Sequence, residues 1–106
     1  MRYYENLFII NSNYEAERVT QILNDVKEEI QKMGGNVLVM KDWGKRKLAY
    51  PIEKQRYGQY YLVQYETENT DLPKILERWM RLKTGILSCI TVRLKEKPKA
   101  EKLENK

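Results

Sequence analysis

The stretch Arg56–Glu66, RYGQYYLVQYE, carries four tyrosines among mostly uncharged residues. In a β-strand successive side chains point to opposite faces. Tyr61, Val63 and Tyr65 therefore share one face, and Tyr60, Leu62 and Gln64 share the other. The tyrosines are either a stacking platform for nucleic-acid bases or one side of a buried sheet. The elements on either side of this strand decide between the two.

Upstream, Arg2–Ile10 (RYYENLFII) reads as a strand, with Tyr4, Phe8 and Ile10 on one face and Leu7 and Ile9 on the other. Asn11-Ser12-Asn13 follows, a turn suited to capping a helix. Val19, Ile22, Leu23, Val26, Ile30 and Met33 then recur every three or four residues and mark one helical stripe. Gly34-Gly35 ends that helix. Residues 36–50 read as a second strand, and Pro51–Tyr57 as a connection into the tyrosine strand. Thr70-Asp71 opens a second helix with Pro73 in its first turn and an apolar stripe of Leu72, Ile75, Leu76, Trp79 and Met80. Gly85 stops it. Ile86–Lys95 is a fourth strand rich in β-branched residues.

The order β-α-β-β-α-β predicts an α+β, ferredoxin-like sandwich. Two right-handed crossovers give a four-stranded antiparallel sheet with both helices on one face. One set of tyrosines must then be core. The other face of the sheet is left uncovered by this chain, with Leu7, Ile9, Tyr60 and Leu62 upon it. We expect residues 1–95 to form one domain and residues 96–106, charged and holding a proline, to be a flexible tail.

Composition narrows the function. The chain has 106 residues, enough for one core. It contains no histidine, which removes the commonest general base and metal ligand. With a single cysteine, Cys89, neither a zinc site nor an internal disulfide is expected. Cys89 lies in the apolar run ILSCITV and reads as a small packed residue. No Gly-rich phosphate loop is present, so neither an enzyme nor a cofactor is expected. No apolar run approaches the roughly 18 residues that cross a membrane. The opening MRYYENLFIINSN does not resemble a signal peptide. A cytoplasmic protein is expected. The net charge of +5 and pI near 9.3 favour an anionic partner, nucleic acid first.

Three readings of the exposed chemistry stand. The fold is also that of the RNA recognition motif, which stacks bases on aromatics of its third strand. LFIINS is similar to that family's shorter motif, but no register of RYGQYYLVQY fits the longer one. A single-stranded RNA-binding module is therefore the alternative function. A second use of an open face bearing Leu7, Ile9, Tyr60 and Leu62 is a protein contact, where apolar patches with aromatics are favoured. A third is a small-ligand or regulatory domain on the same scaffold.

The densest basic cluster is Lys45-Arg46-Lys47, with Lys54 and Arg56 on the same hairpin. Such side chains suit phosphate oxygens. They also suit a charged strand edge that blocks edge-to-edge pairing. Gly44 fits a bulge or sharp twist in a long hairpin arm.

The segment WGKRKLAYPIEK, residues 43–54, resembles the signature of the bacterial small-subunit ribosomal protein six family. Gly44, Leu48, Ala49, Tyr50, Pro51 and Ile52 match, with Lys54 beyond, while Glu53 departs mildly. MRYYE at the start, the Asn11-x-Asn13 turn, Gly34 or Gly35, and Gly58 extend the similarity over roughly residues 1–95. The resemblance implies a non-catalytic ribosomal protein. It would bind the central domain of small-subunit rRNA together with small-subunit ribosomal protein eighteen, stabilising a helical junction during assembly. Arg2, Lys45, Arg46, Lys47, Arg56 and Arg93 are then the candidate phosphate contacts. Leu7, Ile9, Tyr60 and Leu62 are the candidates for the protein partner. No metal and no small-molecule substrate are implied.

Overall fold

The computed structural model describes residues 1–98; residues 99–106, most of the expected tail, lie outside the described residues. Six elements follow in the expected order: β1 (Arg2–Asn11), α1 (Ala16–Lys32), β2 (Gly35–Ile52), β3 (Gln55–Thr67), α2 (Leu72–Leu82) and β4 (Ile86–Leu94). The strands form one antiparallel sheet in the order β2-β3-β1-β4, so β2 and β4 are its edges.

The alternation read from the tyrosine strand sets the layers. Tyr61, Val63 and Tyr65 are buried on one face of β3, beside Tyr4, Phe8 and Ile10 of β1. Ile22, Val26 and Ile30 of α1 and Leu72, Leu76 and Met80 of α2 pack with them in one core. Tyr4 stacks on Tyr65 with ring centroids 5.7 Å apart, and Phe8 on Tyr61 at 5.9 Å. Each pair joins neighbouring positions of β1 and β3, where aromatic cross-strand contacts add about 0.5–1.5 kcal/mol beyond area burial. Burial raises the Tyr65 hydroxyl far above its ordinary pKa, with smaller contributions from Tyr4 and Glu77. Two tyrosines of the opening stretch are thus core, Tyr60 stands half-buried on the opposite face, and Tyr57 is exposed.

Local details depart from expectation in three places. The Asn11-Ser12-Asn13 turn does not cap α1: the Asn11 Oδ1 accepts from the Asn13 backbone N–H at 2.9 Å, and Glu15 occupies the N-cap without a side-chain bond. Ile75, expected on the apolar stripe of α2, is 44% exposed. The connection between β2 and β3 is far shorter than Pro51–Tyr57. Ile52 pairs with Gln55, leaving Glu53 and Lys54 as a two-residue turn with φ of 49° and 68°. Positive φ at both central residues matches the right-handed twist of a hairpin, even without the usual glycine.

Cys89 behaves as expected of a packed residue. It lies against the core, and burial, followed by the nearby Glu77 carboxylate, pushes its thiol pKa up.

Candidate functional site

The hairpin arm of β2 and β3 owes its shape to two insertions in β2. Register slips between Asp42 and Gly44, where Trp43 is the extra residue, and Gly44 there has a φ of +90°. That conformation is open to glycine at no steric cost, as a bulge requires. The Asp42 Oδ1 holds the bulge by accepting the Gly44 N–H at 2.7 Å and the Gln59 Nε2 at 2.8 Å. A larger slip follows. Lys47 pairs with Tyr57 and Ile52 with Gln55, so Leu48-Ala49-Tyr50-Pro51 stand opposite Arg56 alone. Pro51 cannot donate to a ladder, and the four residues loop outward. Together with Lys47 and Arg56 they line a cleft of about 110 Å³. Leu48 turns inward and is 6% exposed, whereas Tyr50 is 72% exposed.

Gly58 explains how Leu48 reaches the sheet. A Cβ on Gly58 would come within 2.2 Å of the Ile9 Cγ2 and 3.4 Å of the Leu48 Cδ2. The missing side chain leaves room for both residues to meet over β3. The signature residues therefore shape the arm and anchor it to the body.

The arm presents cations on both of its faces, interleaved with aromatics. Lys45 and Lys47 pair with Gln59 and Tyr57. The Lys45 ammonium lies 5.3 Å from the Tyr57 ring centre. Arg46 pairs with Gly58 and so takes the opposite face. Its guanidinium lies 5.7 Å from the Trp43 ring centre, and its Nε donates to the Trp43 carbonyl at 3.3 Å. Lys45, Arg46, Lys47 and Arg56 are all exposed. Exposed Trp43, Tyr50 and Tyr57 were not among the expected site residues, although basic residues alternating with aromatics are a known form of nucleic-acid surface.

Arg2 and Arg93 do not join this group. Arg2 pairs with Thr67 on β3, whereas Lys45 pairs with Gln59. Eight residues of strand separate the two levels, about 26 Å at the usual rise. Arg93 lies opposite Tyr4, at the same end as Arg2. The six expected cations thus form a cluster of four on the arm and a pair at the far end of the sheet.

The helix-free face divides in a similar way. Leu7 pairs with Leu62 and Ile9 with Tyr60, as cross-strand neighbours. Leu62 is 1% exposed, walled in by Leu7 on one side and Lys41 on the other. It supports the face and offers no surface of its own, a correction to its expected role. Gln64, next on that face, is also buried and donates its Nε2 to the Glu5 Oε1 at 2.8 Å. Leu7, Ile9 and Tyr60 are half-buried. The exposed apolar area lies instead on edge strand β4, where Ile90 pairs with Leu7 and Val92 with Glu5. Ile90 is 58% and Val92 50% exposed. Neither was expected at the site. At the centre of this face the aromatic group is Tyr60, with Gln64 and Glu66 further along β3 where a stacking platform would continue.

Residues 3–93 match the family model described as ribosomal protein S6. The small ribosomal subunit protein bS6 of Aquifex aeolicus is 36% identical over 96 residues, covering 91% of this chain and 87% of its own length. The bS6 protein of Clostridium novyi is 40% identical over 92 residues, covering 87% and 96% respectively. The crystal structure of 30S ribosomal protein S6 from Thermotoga maritima superposes with a TM-score of 0.80 at 30% identity, over 88% of this chain and 87% of that one.

Proposed function

This chain belongs to the ribosomal protein S6 family and is a structural, non-catalytic component of the small ribosomal subunit; we propose that it binds the central domain of small-subunit rRNA jointly with small-subunit ribosomal protein eighteen, in the cytoplasm. The observation that carries this reading is the shape of the hairpin arm. Lys45, Arg46, Lys47 and Arg56 are exposed on an element that two bulges distort away from a flat edge. A charged edge that merely blocked pairing would need neither the Leu48–Pro51 loop nor the cleft it makes with Arg56. Guanidinium and ammonium groups in such a setting suit phosphate oxygens.

The protein partner is assigned to the helix-free face. Leu7, Ile9 and Tyr60 form its floor, and Ile90 and Val92 extend it to the β4 edge. Aromatic and aliphatic side chains at the centre of a patch are the usual anchors of a protein contact. Four arm contacts to phosphate would make RNA binding by this chain alone weak and salt-sensitive. Prior association of the two proteins raises affinity by joining two modest surfaces at high effective concentration.

The test is a binding titration of a central-domain rRNA fragment with this chain, the partner protein, and both. The expected result is weak binding by either protein and tight joint binding. Joint binding no tighter than that of the stronger single protein would remove the heterodimer from the account.

A further inference from the structure

On the helix-free side of the arm, Lys41, Asp42, Trp43 and Arg46 line a cleft of about 280 Å³. It is separate from the cleft built by Leu48–Pro51 and lies on the arm face opposite Lys45 and Lys47. Its chemistry is unusual in one respect. The Lys41 Nζ is shielded from solvent yet makes no hydrogen bond among the described residues. An ammonium is three donors and no acceptor, and burying one unpaired is costly. The Gln64 Oε1 on the same face is also without a partner among the described residues, but it is neutral. Arg46, the second cation of the cleft, has its guanidinium near the indole and, among the described residues, only a backbone carbonyl as acceptor.

The cleft also includes a carboxylate, Asp42, which would repel an anion if it faced inward. Its Oδ1 already accepts from the Gly44 N–H and the Gln59 amide. Asp42 pairs with Tyr61, whose hydroxyl faces the helix side. The Tyr61 pKa is raised first by burial and then by the Asp42 charge, so that charge is felt on the other side of the sheet. The remaining chemistry is a flat indole between two cations, with 36% of Trp43 open to solvent.

We propose that the cleft between Lys41, Trp43 and Arg46 holds one unpaired RNA nucleotide, its base stacked on the Trp43 indole and its phosphate held by the Arg46 guanidinium and by the Lys41 ammonium, which turns outward to meet it. Stacking on an aromatic needs no particular base, since every base has a π-face. The phosphate supplies the anion that the lysine lacks. The proposal rests on the RNA-binding reading above and adds to it a site on the other face of the arm, built by two residues outside the expected set.

The test uses a protein in which Trp79→Phe leaves Trp43 as the single indole. Its emission is followed on adding inorganic phosphate, the partner protein alone, and then the central-domain rRNA fragment with the partner. Quenching that arrives only with the RNA supports the proposal. Trp43→Ala should then weaken joint RNA binding about tenfold, and Trp43→Phe should restore most of it. Lys41→Met keeps the stem beside Leu62 and should make the log-log salt slope shallower by about 0.9. Trp43 lies in an edge-strand bulge, and thermal melts of these variants check that they fold. If RNA binds while Trp43 emission stays unchanged, the cleft does not hold a nucleotide, although the RNA-binding reading stands. Emission that changes with the partner protein and not further with RNA assigns the cleft to protein and overturns the proposal. Absence of any RNA binding removes both readings.

Discussion

The two edges of the sheet solve the same problem in different ways. An edge strand exposes unpaired backbone groups and invites pairing with other chains. Edge β2 runs 18 residues, slips register repeatedly and carries Lys45, Arg46 and Lys47. Edge β4 runs 9 residues and leaves Ile90 and Val92 half-exposed on the helix-free face. The first edge is distorted and charged; the second is short, regular against β1 apart from one slip near Ile10, and apolar. Charge and distortion are concentrated on β2, whereas β4 has one slip and Arg93 as its one charged residue between Ile86 and Leu94. On the proposed reading the two edges serve partners of different chemistry, RNA at β2 and protein at β4.

The strongest test of that division lies on β4. Exchanging Ile90→Asp together with Val92→Asp should weaken binding to the partner protein by about 100-fold or more, equivalent to losing roughly 3 kcal/mol at interface anchors. Both side chains are half-exposed, so the melting temperature should stay within a few degrees. Equal loss of intrinsic RNA affinity, measured without the partner, would break the comparison. Next in size is the arm. Lys45→Glu with Lys47→Glu should lower RNA affinity about 30-fold. With two phosphate contacts removed, the log-log salt slope should become shallower by about 1.8. Partner affinity measured without RNA should not change. The smallest effect belongs to the far end of the sheet. Arg2→Ala with Arg93→Ala should reduce RNA affinity by about threefold or less, because these residues lie about 26 Å along β3 from the arm cluster. A loss as large as that of the arm variant would show that RNA wraps the whole sheet.

One stability prediction sharpens the link between arm and body. Gly58→Ala puts a methyl group where the Ile9 Cγ2 stands 2.2 Å away. Overpacking of this kind costs about 1–3 kcal/mol. A thermal melt should fall by about 4–8 °C per kcal/mol for a domain near this size. Ile9→Ala in the same chain should recover part of the loss.

The helix-covered face was legible in the sequence because burial imposes a period. Ile22, Val26 and Ile30 recur every four residues, Tyr61, Val63 and Tyr65 every two, and all six are buried. The arm was less legible for physical reasons. Leu48-Ala49-Tyr50 reads as ordinary strand alternation, and its exit from the ladder is set by Gly58 and Arg56 across the hairpin. Glu53-Lys54 carries no glycine or asparagine, so nothing local marks a left-handed turn. The β4 strand was read correctly, but the exposure of Ile90 and Val92 was not legible, because Ile86–Val92 is mostly apolar. Such a run looks the same in a central strand as in an edge strand, and strand order is a tertiary property. Leu62 shows the converse: its face was correctly read, but its burial depends on Leu7 and Lys41 on either side. Nothing in the sequence marks Lys41, and only packing shows that its ammonium is enclosed.

Amide hydrogen exchange on this chain, first alone, then with the partner protein, then with partner and central-domain rRNA, tests the division of edges most directly. The account predicts that the partner slows exchange along Ile86–Leu94 and that RNA adds protection across residues 41–57. Protection of the arm by the partner alone, or of β4 by RNA alone, would contradict it.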